Sequence, residues 1–417
     1  MTARISLIAT LITVVLFFSC DTERNIAPVF KTYFTKYYGE DGNQFAVDLA
    51  VNPDGTMVMV GTSQSQTDQT NYAFIVKVDN EGTVLWQRKM GDRDEEPVDI
   101  EFDSRNDIIV VSNFESRAIR ITRISQSGAS IDSTLIENPA GIFGTAITEI
   151  NNATGHFFLV SGYAGPGLVG DGDPVTVAND EQDLLIYKID PSFDLPPKLE
   201  LEQGGEKVGK IAKIFQSQIN GPIRYYRFGD SDRPLSQGGN FRQTFEVVRL
   251  NEFFVPSTLV QAGSTDEVQI SSEAIAMPIA GQPGFVMVGS TGQGASKRIF
   301  VAQYNDLRPE LTVRLKPIIS TPRPAEGVSV AYGEQESIFV LADEQQDNNN
   351  YDIYLAKFES DGAFGGEMRF GSIEGNDRAA AVRVLPDQRV AVFGTIELET
   401  QKKMMLTLIS PQGTFLE

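Results

Sequence analysis

The chain has 417 residues, with 35 Lys and Arg against 56 Asp and Glu, for a net charge of −21. A chain this acidic repels nucleic-acid phosphates and anionic membrane, so neither is expected as a docking partner. A single cysteine and a single histidine leave no disulfide framework, no Ser-His-Asp or Cys-His arrangement and no His-ligated zinc.

Residues 1–20 read as a targeting segment, with Arg4 as its positive start and an apolar run over 5–18 that is short for a bilayer span. The segment ends LFFSC, which resembles the lipobox of bacterial lipoproteins: a small residue, Ser19, stands before Cys20. The resemblance implies that Cys20 is lipidated and becomes the mature N-terminus. Phe17 stands where Leu is usual, as in the looser lipoboxes of some Gram-negative groups. Asp21 resembles an inner-membrane retention signal of enteric bacteria. Asp21 with Glu23 resembles the surface-export signal of other Gram-negative groups, and the looser lipobox favours that setting. An outer-membrane lipoprotein is therefore expected, with the leaflet open. The alternative is an ordinary secretory signal in which Cys20 is incidental.

From residue 44 a unit of about fifty residues recurs to the end of the chain. Its first copy, 44–90, reads FAVDLAV, the turn NPDG, TMVMVGT, a polar loop, YAFIVKVD, the turn NEG and TVLWQRKM. The second copy runs PVDIEF, IIVVS, AIRITRI, and the third runs TAITEI, HFFLVSGY, DLLIYKID, PKLELE. The fourth is the most divergent: KIAKIF, IRYYRFGD, TFEVVRL, FVPSTLV. SSEAIAM, GVSVAY and AAAVRVL open the fifth, sixth and seventh. The second and third runs are apolar at nearly every position, as strands covered on both faces must be, while the fourth alternates like a half-exposed edge. Four antiparallel strands per unit, repeated seven times, predict an all-β, seven-bladed β-propeller with almost no helix.

Residues 411–417, PQGTFLE, leave the last copy short of an outer strand, whereas 30–38, FKTYFTKYY, precede the first copy as an unmatched strand. An unpaired edge invites pairing, so the N-terminal strand is expected to close the ring in the last blade. The domain reading is a signal peptide over 1–20, a tether over 21–29 and a propeller over 30–417. The repeat resembles that of bacterial exported β-propeller lipoproteins, through Gly39, Gly371 and Asp377 in the links, Gly61 and Thr62 in V-x-V-G-T, and Lys77, Asp79, Gly82 and Trp86 beyond. A weaker likeness, through DNEGTVLW, is to the quinoprotein-like propellers. Only one copy carries the Trp, and no quinone cofactor is implied.

In a propeller the loops between second and third strands share a face with the links between blades. These loops, 62–71, 162–182, 229–240, 343–350 and 396–402, are long and irregular, whereas the opposite turns are short. Long loops on a rigid frame are where binding residues collect, so this face is the expected contact surface. Asp171, Asp173 and Asp180 cluster in one loop, and Asp343, Asp347, Asn348, Asn350 and Asp352 in another. Such oxygens suit Ca²⁺, but neither set follows a known calcium-loop pattern, and solvated polar loops are the expectation. No other cofactor is implied. Arg224, Tyr225, Tyr226 and Arg227 in the divergent fourth blade, with Asp230, Asp232 and Arg233 after them, form the candidate binding site for an anionic or sugar group. The function expected is that of a binding scaffold, an accessory subunit docking an envelope protein through the loop-rich face. The alternative is a glycan-binding propeller or a carboxylate-dependent glycan hydrolase or lyase. An acid-lined and aromatic-lined central pocket would favour the second reading.

Overall fold

The computed structural model describes residues 33–412 apart from 66–68, 92–93, 116, 139–140, 153–154, 165–181, 207–212, 218–223, 232–243, 263–266, 278–283, 307–310, 316–317, 320, 348–349, 360–361 and 373–374. Seven antiparallel sheets follow one another, each built on a path of four strands. The first blade comprises Asn43–Val51, Met57–Gln64, Asn71–Val78 and Val84–Met90, and the pattern repeats as the sequence predicts. Two 3-10 turns, Gly294–Ser296 and Glu334–Glu336, are the helical elements among the described residues.

Burial follows the pattern of the runs. Met57–Gln64 is buried at seven of its eight positions, whereas Val84–Met90 is exposed or half-buried throughout. Apolar clusters lie between neighbouring sheets; one joins Val58, Val60 and Ile75 of the first blade to Ile100, Ile108 and Val110 of the second. The turn chemistry is equally local. Asp79, Asp103 and Asn251 each open a turn and accept two following backbone N–H groups on one side-chain oxygen.

The last sheet has the order predicted from the chain ends: Phe34–Tyr38 pairs antiparallel with Gln401–Ile409, which pairs with Val390–Leu398 and then Arg378–Val384. Tyr38 is buried, and its hydroxyl donates to the Gly82 carbonyl at 2.8 Å, so the closing strand also fastens the last blade to the first. Residues 30–32 and 414–417 lie outside the described residues.

One loop expectation is corrected. Over 396–402 the strands run on to Leu398 and resume at Gln401, leaving a two-residue hairpin. The strand ladder persists because Glu397 and Lys402 still face each other as a pair. The longest expected loops, within 162–182 and 229–240, fall mostly outside the described residues.

Candidate functional site

The first strand of each blade lines the central axis. Among the described residues it carries a one-residue bulge in six blades, at Val47, Val98, Thr145, Ser272, Val328 and Ala380. A bulge puts two residues opposite one and re-aims the side chains around it. All six bulged residues line one cavity of about 340 Å³, joined by Lys213 from the fourth blade, so every blade contributes to it. The lining comes from the link-side halves of the first strands, which places the cavity's mouth on the loop-bearing face.

The bulges explain the V-x-V-G-T motif. Gly61 and Gly289 stand opposite them, and a β-carbon at either would run into the carbonyl oxygen of Phe45 or Ile270, just before the bulge. The next position reaches across to the following blade. Thr395 Oγ1 accepts the Ala46 N–H at 2.8 Å, Asn113 Oδ1 that of Gly144 at 2.7 Å, and Asp343 Oδ1 that of Ala379 at 2.7 Å.

A second set of clasps starts just after the bulges. Asp48 Oδ2 accepts the Ile100 N–H at 3.3 Å, Asp99 Oδ2 that of Ile147 at 2.7 Å, and Glu273 Oε2 that of Val330 at 2.9 Å. Ser329 Oγ does the same for Val382 at 3.0 Å. Arg383 gathers the ring together: it pairs with Asp48 at 2.6 Å and Glu273 at 3.0 Å, and donates to Ser329 Oγ at 3.2 Å. Two positions beyond Asp99, Glu101 stands 4.0 Å from Lys213.

Burial dominates the electrostatics of this cluster. It pushes the Asp48 carboxyl up to about 7, Arg383 opposing and Asp99 and Glu273 adding to the rise. Burial likewise raises Glu101 to about 8 against the pull of Lys213, and Asp343 to about 6 against that of Arg378. Burial disfavours the charge on Lys213, but Asp99, Glu101 and Glu273 outweigh it, and its pKa is raised. The cavity is therefore acid-lined and of mixed charge, and its lining contains no aromatic side chain among the described residues.

Of the residues singled out in the fourth blade, Arg224 and Tyr226 do meet, but on the buried carboxylate of Asp306 and not on the loop face. Arg224–Ser231 begins on the short-turn side and ends on the loop side, so Arg224 and Asp230 are about 20 Å apart along the strand. Tyr225 is buried and stacks on Phe254 at 4.7 Å, and Tyr226 is buried with its hydroxyl bonded to Asp306. Arg224 and Arg249 pair with the same Asp306, at 3.5 and 3.1 Å. Arg224, Tyr226 and Arg249 thus join blades four and five through Asp306, at the short-turn end of the strand, while Tyr225 packs toward Ile150 and Phe157 of the third blade. Asp232 and Arg233, and the side chain of Asp230, lie outside what the structure describes.

The acidic loop residues separate in the same way. Asp343 occupies the Thr position of the motif, as a blade clasp paired with Arg378 at 3.1 Å, while Asp347 pairs with Arg323 at 3.2 Å. Among the described residues no group of three or more metal-ligating side chains converges. Asp171 and Asp173 lie outside the described residues. Missed in the sequence were Asp48, Asp99, Glu273 and Ser329, although their signal was present: an acid or Ser just before Leu, Ile, Ala or Val in FAVDLAV, PVDIEF, SSEAIAM and GVSVAY.

No protein family and no curated protein matches the sequence. Solved structures do match, at low identity. The hydrazine synthase of Kuenenia stuttgartiensis aligns over 86% of this chain and 94% of its own, with 10% identity and a TM-score of 0.54. Sqt1 from Chaetomium thermophilum aligns over 87% and 83%, at 11% identity and a TM-score of 0.48. The β-propeller domain of the trilobed protease of Pyrococcus furiosus aligns over 90% and 94%, at 10% and 0.45. The likeness is one of fold alone.

Proposed function

We propose that this protein is a lipid-anchored binding propeller of a Gram-negative outer membrane. In this reading it serves as an accessory subunit that receives an envelope protein on its loop-bearing face. The observation that carries the reading is the axial cavity. Its acids are engaged in holding blades together: Asp48 and Glu273 by Arg383, Asp343 by Arg378, and Glu326 by Lys297 at 2.8 Å. A ring fastened in this way is a rigid frame, and the loops around its mouth are free to vary in sequence without loosening it.

The test compares the two faces of the full-length protein in its own membrane. A polyethylene-glycol adduct on Thr400→Cys, at the loop-side hairpin, should lower in-situ crosslinking to the partner at least tenfold. The same adduct on Ser127→Cys, in the opposite turn, should leave it unchanged. Equal effects, or a loss confined to Ser127→Cys, would sink the reading.

The raised carboxyl of Asp48, on the lining of the cavity, favours a second reading, in which the cavity handles a glycan, because a protonated acid near neutral pH is what glycoside cleavage requires. That reading expects glycan turnover by the purified protein that disappears in Asp48→Asn.

A further inference from the structure

We infer that the short-turn side of the propeller lies against the bilayer that holds the lipid anchor, so that the loop-bearing face and the axial mouth point away from it. The inference rests on the anchor reading at Cys20 and adds to it the orientation and the surface involved.

Register sets the direction of the closing strand. Phe34 faces Leu408, next to the turn that follows Ile409, and Tyr38 faces Met404, toward the loop-side hairpin. The strand thus enters on the short-turn side and leaves on the loop side. Its start is fixed there by independent contacts. The Phe34 ring fills the space where a β-carbon on Gly82 would sit, and Lys36 Nζ donates to the Glu81 carbonyl at 2.6 Å. Both partners belong to the Asn80-Glu81-Gly82 turn of the first blade. Thirteen residues separate Cys20 from Phe34, a reach of about 45 Å even when fully extended. A lipid on Cys20 therefore tethers the ring within that reach, from the short-turn end of the closing strand.

The same side carries exposed apolar side chains where the outer strands begin. Leu85 is 52% exposed, Ile131 50%, Phe253 74% and Phe364 57%, in four different blades. Between them stand exposed acids such as Asp54, Glu81 and Glu252. Apolar residues interspersed with acids suit a zwitterionic headgroup layer, which offers apolar depth without a repelling negative potential.

The experiment uses the full-length acylated protein in vesicles of phosphatidylcholine and phosphatidylethanolamine containing a headgroup-quencher lipid. Ser127→Cys and Thr400→Cys carry the same fluorophore, and acylation leaves the Cys20 sulfur unavailable to it. The Ser127→Cys label should be quenched at least threefold more than the Thr400→Cys label. In a Leu85→Ser, Phe253→Ser background that excess should shrink, and an unchanged excess would overturn the apolar contact. Equal quenching, or more at Thr400→Cys, on protein that has taken up labelled acyl chain overturns the orientation while the anchor stands. Protein that takes up no acyl chain overturns the anchor reading and this one with it.

Discussion

At the scale of residues, the axial carboxylates make stability depend on pH in an unusual direction. Asp48, Asp343 and Glu101 start from ordinary values of 3.8, 3.8 and 4.5 and rise to about 7, 6 and 8 in the folded chain, with burial the largest cause each time. Between about pH 4 and 8 the folded state therefore holds protons that the unfolded state has released. Stability falls as pH rises through that window and levels off above it. We expect the melting temperature to be several degrees higher at pH 5 than at pH 8, measured by calorimetry in matched buffers. Glu101→Gln keeps the volume without the ionisation, so it should flatten the curve above pH 6 and raise stability at pH 8 by about 1 kcal/mol. A pH slope identical to that of the parent would show that Glu101 stays ionised. Tyr226→Phe tests the core cluster: losing the hydroxyl that satisfies Asp306 should cost about 1–2 kcal/mol in denaturant unfolding. Partner binding should be unaffected by it.

At the scale of elements, the closing strand is the one piece of a blade supplied from the far end of the sequence. It covers the edge of Gln401–Ile409 with five paired residues and buries Tyr38 against the first blade. Deleting 30–38 exposes that edge, Met404 and Leu408 included, and should cost several kcal/mol at ~25 cal/mol per Å² of apolar surface uncovered. Thermal melting of the truncated chain checks this, and a melting curve like that of the intact protein would contradict the closure. The strand pairings were legible because the apolar runs, turn residues and repeat length agree. The bulges were not legible as such. Gly61 and Gly289 could be seen to recur, but the carbonyl they make room for belongs to a different strand.

At the scale of the whole molecule, the proposed lipidation at Cys20 would decide where the ring works. Cys20→Ala should remain unprocessed by the lipoprotein peptidase and take up no labelled acyl chain. Processing and acyl uptake equal to those of the parent would remove the premise for both the proposed function and the orientation. The candidate site was less legible than the fold at this scale. Arg224, Tyr225 and Tyr226 drew attention because they are polar or aromatic in a divergent copy. Their neighbours, Asp306 and Phe254, are what make them core.

By itself the sequence determined seven four-stranded units, their turns and the closure of the ring by its own N-terminal strand. Each of these depends on patterns within a few residues, or on counting copies along the chain. Tertiary structure alone decided which charges meet. Asp48 lies 335 positions from Arg383, and Asp343 lies 36 from the Ala379 N–H it clasps. An acid in a polar loop and an acid that joins two blades look alike in the sequence. They differ in burial and in the partner that a neighbouring blade brings to them, which exist only once the ring has closed.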